Sequence, residues 1–138
     1  MKELSVLIVD DSEIDRYILT RQLRESGVKN IFEQDDGSSA IKQLEEFEAN
    51  SDLYEGKFPP VIIFLDINMP NLGGFGFLKK FAEVRKELGL ESCVIMMYSS
   101  SERQEDKENA YQFDFVKDYI VKGELTSEDL KRKLTPFC

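Results

Sequence analysis

The sequence predicts an α/β domain in which a five-stranded parallel sheet carries helices on both faces. Three observations predict it. Short apolar runs recur over 4–9, 61–65, 93–98 and 115–121, with a weaker one over 30–34, and near-continuous runs of this kind suit strands buried on both faces of a parallel sheet. Helix-period stripes opened by capping or turn residues lie between them. The runs also stop abruptly at reactive side chains: Asp10-Asp11 after the first, Asp66 after the third, Ser99-Ser100-Ser101 after the fourth and Lys122 after the fifth.

Ser12 followed by Glu13 and Asp15 reads as a helix start, because a hydroxyl caps free N–H groups and acids favour the positive end of the helix dipole. Ile14, Tyr17, Ile18 and Leu23 supply its predicted buried stripe, which fades at Gly27. Asp36-Gly37 turns the chain into a second helix carrying Ala40, Ile41, Leu44 and Phe47. The stretch from Asn50 to Pro60, with Gly56 and two prolines, reads as a long loop, since these residues interrupt regular structure. The run over 61–65 is the most apolar and is placed at the sheet centre. Met69 to Gly74 reads as a turn, and Phe77, Leu78, Phe81, Val84 and Leu88 mark a third helix closed by Gly89. The serines cap a charged fourth helix through about Gln112, and Thr126 to Leu134 makes a fifth.

At 138 residues the chain suits one domain, expected to span 1–138 with no output domain. A formal charge of −9 argues against binding nucleic acid directly, which requires clustered Lys and Arg. No apolar run reaches membrane-spanning length and Met1-Lys2-Glu3 begins no secretory signal, so no membrane insertion and a cytoplasmic location are expected. Two cysteines, Cys93 in an apolar run and Cys138 at the end, offer neither a disulfide framework nor a metal spacing. The absence of histidine removes imidazole as base, zinc ligand or phosphate carrier, leaving carboxylates to carry any phosphoryl chemistry.

Ligands of open α/β sheets collect beyond the carboxyl ends of the strands, where this chain puts Asp10, Asp11, Asp66, the serine run and Lys122. A lone Asp at such a place is ordinarily a turn former or cap; the whole group together points to a site. Clustered carboxylates repel unless a hard cation neutralises them, and Mg2+ suits carboxylate, carbonyl and water oxygens. Such an ion beside Asp66 screens a phosphoryl donor and lets a carboxylate oxygen act as nucleophile. Lys122 and a serine hydroxyl are then placed to hold the other phosphoryl oxygens.

Taken in order, Val9-Asp10-Asp11-Ser12, Leu65-Asp66-Ile67-Asn68-Met69-Pro70 with Gly74, Ser99-Ser100-Ser101 and Asp118-Tyr119-Ile120-Val121-Lys122 resemble the receiver domains of two-component response regulators, of which the single-domain chemotaxis regulator is the familiar type. The resemblance implies strand order 2-1-3-4-5. It implies that Asp66 is the phosphoacceptor for a sensor histidine kinase, a phosphotransfer protein or a small phosphodonor. Asp10, Asp11, Asp66 and the backbone carbonyl of Asn68 would be the protein ligands of Mg2+. Ser99 takes the switch hydroxyl position and Tyr119 the aromatic position coupled to it, with Ser100 the alternative when counting back from Lys122. Such a protein is not an enzyme toward other substrates; it catalyses its own phosphorylation and dephosphorylation, and signals by contact with a downstream protein target, through the surface of the fourth helix, fifth strand and fifth helix. A homodimer through Phe137 and the apolar residues near the fourth strand stays open beside it.

The chain departs from the family at Gly123, where proline usually follows the lysine, and at Gly73, where an acidic or amide residue is usual. Glycine's wide φ range lets a loop without the proline aim Lys122 similarly. The departures keep one alternative open, a pseudo-receiver that binds partners without phosphorylation. The long loop before Pro59 resembles stand-alone receivers that serve phytochrome-type sensor kinases. Two other readings are disfavoured: a haloacid dehalogenase-like phosphatase wants an acid where Asn68 stands, and a flavodoxin-like flavin carrier would set its phosphate against Asp10, Asp11, Glu13 and Asp15.

Overall fold

The structure, a computed structural model, describes residues 4–46 and 60–137. Met1-Lys2-Glu3, Phe47, nearly all of the expected long loop and Cys138 lie outside the described residues. Each apolar run forms a strand: β1 (Ser5–Val9), β2 (Asn30–Gln34), β3 (Ile62–Leu65), β4 (Val94–Ser99) and β5 (Val116–Val121). Helices α1 (Glu13–Glu25), α2 (Gly37–Glu45), α3 (Gly74–Val84), α4 (Gln104–Tyr111) and α5 (Ser127–Leu134) alternate with them, followed by a short 3-10 turn (Thr135–Phe137). The strands are parallel in the order β2-β1-β3-β4-β5, with β3 at the centre as expected.

Because strand side chains alternate between faces, the sheet splits its apolar residues into two cores. Leu7, Val9, Ile63, Leu65, Ile95 and Met97 face α2, α3 and α4 through Ala40, Leu44, Phe77, Phe81 and Ala110. Val6, Ile8, Ile62, Phe64, Met96 and Ile120 face α1 and α5 through Leu19, Leu23, Leu130 and Leu134. Cys93 is buried as a small core residue, and burial pushes its thiol up to about 12, leaving it an inert hydrophobe at neutral pH.

Three helix expectations need correction. In α1 the inward residues are Leu19 and Leu23, while Ile14 and Tyr17 are 72% and 65% exposed and Ile18 is also exposed. At about 100° per residue, Leu19 and Leu23 lie roughly 140–180° around the helix from Ile14, so the sequence carries two apolar stripes and only one is buried. The serines do not cap α4 directly: Arg103 is its N-cap residue, and Ser101 Oγ accepts from the Arg103 N–H and donates to Asp106. Leu88 lies beyond the end of α3 in the turn that follows. Phe137, offered above as a homodimer contact, is partly buried against the α1/α5 core.

The connections at the carboxyl edge are tightly built. Ser12 and Asp36 cap α1 and α2 by accepting from Asp15 and Ser39 N–H groups. Gly74 opens α3 against the turn after β3, where a Cβ would lie 2.4 Å from the Asp66 carbonyl oxygen and 2.8 Å from Ile67 Cα. Both obstacles are backbone, so the turn itself must move to admit a methyl group. Gly74→Ala is expected to destabilise the protein by about 2–3 kcal/mol, read as a lower urea midpoint; an unchanged midpoint would show that this turn is loosely held.

Candidate functional site

Register delivers the acidic residues to one place. Val9 pairs with Leu65 and with Gln34, so β1 and β3 end level. The next residues continue the ladder, Asp66 N–H donating to the Val9 carbonyl at 2.9 Å and Asp10 N–H to the Gln34 carbonyl at 3.1 Å. Asp10 and Asp66 are buried while Asp11 faces solvent, and carboxylate oxygens from the three lie within 4.8 Å of one another.

Lys122 enters from β5. Its N–H donates to the Ser99 carbonyl at 2.8 Å, and Gly123 behind it takes φ +89°, a left-handed conformation that glycine adopts without steric cost. The ammonium lies 2.8 Å from Asp10 Oδ2, 2.9 Å from Asp15 Oδ2 and 3.4 Å from Asp66 Oδ2. The carboxylates hold its pKa above the usual lysine value despite burial, so it stays charged. Burial, and next the Asp10 charge, push the Asp66 carboxyl up to about 6, against the pull of Lys122 and of the Ile67 N–H that donates to it at 2.8 Å.

These residues fit a small hard cation. Asp10 Oδ2 is buried and accepts no well-aligned hydrogen bond, although the ammonium is close by, while Asp10 Oδ1 is occupied by the Ser12 N–H at 2.9 Å. The oxygen donor set and the open side at Asp11 suit an ion that keeps several waters. Asn68 follows two residues after Asp66 in the exposed part of the turn.

Ser99 is fully buried at the end of β4 and accepts from the Ser101 N–H at 3.1 Å, whereas Ser100 faces solvent. A bulge offsets the pairing of β4 with β5, Ile95 facing Val116 but Met96 facing Asp118. With that offset Ser99 pairs with Val121, the residue before Lys122. Tyr119 is half-buried against the α2/α3/α4 core, and its hydroxyl donates to the Ser101 carbonyl at 2.9 Å. The serine connection is thereby tied to β5.

Sequence reasoning missed three neighbours. Asp15 was read as a helix-start acid and as part of the negative charge at this edge, yet it bonds Lys122 directly. Tyr98, in β4, places its ring 5.6 Å from the Lys122 ammonium, within cation–π range. Arg16 donates to the Asp10 carbonyl at 2.5 Å and pairs with Glu33 at 3.3 Å. No spacing rule marked either of these.

Residues 6–135 match the response regulator receiver domain family. The chain belongs to that family. It is 33% identical over 133 residues to the chemotaxis protein CheY-3 of Vibrio cholerae, covering 96% of this chain and 90% of the relative. A two component response regulator from Cytophaga hutchinsonii superimposes with a TM-score of 0.83 at 28% identity, over 99% of this chain and 97% of that one. The receiver domain of the Arabidopsis thaliana histidine kinase CKI1, solved in complex with Mg2+, shares the fold at a TM-score of 0.76 and 24% identity, over 95% of this chain and 91% of that one. Among the described residues of this receiver domain, no helix is long and apolar enough to cross a membrane.

The raised Asp66 pKa sets a pH dependence for the metal-free receiver domain. Its folded value of about 6 exceeds the ordinary 3.8, so the folded state holds a proton the unfolded chain has lost. The associated stability is complete below about pH 4 and is lost as pH rises through about 6. In chelator, the wild type is expected to lose roughly 1–2 kcal/mol relative to Asp66→Asn between about pH 4 and 8, measured by urea unfolding of both proteins. A difference that does not vary with pH would contradict it.

Proposed function

We propose that this protein is a stand-alone response regulator whose Asp66 accepts a phosphoryl group from a sensor histidine kinase or phosphotransfer protein, with Mg2+ held by Asp10, Asp11, Asp66 and the Asn68 carbonyl. The observation that carries this reading is the convergence of Asp10, Asp11 and Asp66 on one another, with the Lys122 ammonium against Asp10 and Asp66. The Mg2+ complex of the CKI1 receiver supports the metal. Cytoplasmic location follows from the same role.

When bound, the ion supplies positive charge that screens the phosphoryl oxygens from the carboxylates. An oxygen of Asp66 attacks phosphorus, the bond to the donor's nitrogen or oxygen breaks with its electron pair leaving on the donor, and a mixed anhydride remains on Asp66. Lys122 holds one phosphoryl oxygen and the Ser99 hydroxyl another. Moving the Ser99 hydroxyl pulls on the Ser101 N–H it now accepts from, and through the Ser101 carbonyl on Tyr119. The state of Asp66 would thus reach α4, β5 and α5, where a downstream protein reads it.

Acetyl phosphate with Mg2+ is expected to add one phosphoryl group to the wild type, seen by intact mass. Asp66→Asn and excess chelator should each abolish it, and Lys122→Ala should slow it at least ~10-fold. A folded wild type that never gains the mass would leave a pseudo-receiver, acting by binding alone.

A further inference from the structure

We infer that Asp15 is a positioning residue that holds the Lys122 ammonium back from the phosphoryl group and so sets how tightly the site takes it. This rests on the phosphoacceptor reading above. The ammonium has three N–H donors, and in the structure its close partners are Asp10 at 2.8 Å and Asp15 at 2.9 Å, with Asp66 farther off at 3.4 Å. Only the Asp15 contact is a well-formed hydrogen bond.

When Asp10 turns its free oxygen to a cation, Asp15 remains as the carboxylate that keeps the lysine. It lies outside the metal cluster, on the first turn of α1, with its side chain about a third exposed. The Tyr98 ring closes another side of the ammonium. A phosphoryl group on Asp66 must therefore win the lysine against a fixed carboxylate, and it meets that carboxylate's negative charge as well. Asp15 thereby lowers affinity for the phosphoryl group while its charge favours the cation, two effects of opposite sign from one residue.

Asp15→Asn removes the charge without removing the cap of α1, since the backbone N–H of residue 15 is what Ser12 Oγ receives. The test titrates full-length wild type, Asp15→Asn and Asp15→Glu with Mg2+ alone, then with beryllofluoride at saturating Mg2+, by calorimetry. Asp15→Asn is expected to bind beryllofluoride about 3–10-fold more tightly and Mg2+ up to about threefold more weakly, with Asp15→Glu within about twofold of wild type. Loss of folding would weaken both ligands, so the opposite signs distinguish the positioning role from a structural one. If wild type binds beryllofluoride and Asp15→Asn gains nothing, the inference fails and the phosphoacceptor reading stands. If wild type binds none, both fall.

Discussion

Crowded like charge at one edge of a parallel sheet is the constraint on which the rest of this structure depends. Asp10, Asp11 and Asp66 bring carboxylate oxygens within 4.8 Å of one another, two of the residues being buried. Such an arrangement is unfavourable unless something positive sits among the oxygens. Lys122 supplies part of that charge, and it does so from the far edge strand, so the compensation closes only when β1, β3 and β5 are in their final places. The residual strain appears as the elevated Asp66 pKa and the poorly satisfied Asp10 oxygen. A site left under this tension responds strongly to a cation and to a covalent change on Asp66.

The surrounding architecture keeps that tension from relaxing. Gly74 lets the start of α3 rest directly on the Asp66 carbonyl. On the α2 side, Asp36 accepts from Asn71 at 2.9 Å, and Gly37 N–H donates to the Leu72 carbonyl at 3.0 Å, so the turn after β3 is fastened from both sides. Arg16 secures the Asp10 carbonyl from α1. A rigid cradle of this kind makes small displacements costly inside the site, which favours their transmission outward along the Ser99, Ser101 and Tyr119 hydrogen bonds.

The exposed face of α1 is a separate matter from its role in folding. Ile14, Tyr17 and Ile18 form an apolar stripe on the solvent side, while Leu19 and Leu23 do the packing. A stripe of this spacing satisfies helical periodicity as well as the buried one does, and the two are separated only by which side the sheet occupies. The same limit applies to Phe137, whose burial depends on where the 3-10 turn after α5 returns the chain.

Strand runs, the helix start at Ser12, the turn into α2 at Asp36-Gly37, and the presence of Asp10, Asp11, Asp66 and Lys122 at strand ends were legible in the linear chain, because strands and turns are local and parallel strands place all their carboxyl ends on one edge. The Asp15–Lys122 bond, the Tyr98 ring beside the ammonium and the inward face of α1 were not. The two contacts join residues far apart in the chain, and the inward face of α1 turns on which side of it the sheet lies. Local propensity carries no information about such distances; they exist once the sheet has assembled and two hydrophobic cores have set the orientation of every helix against it.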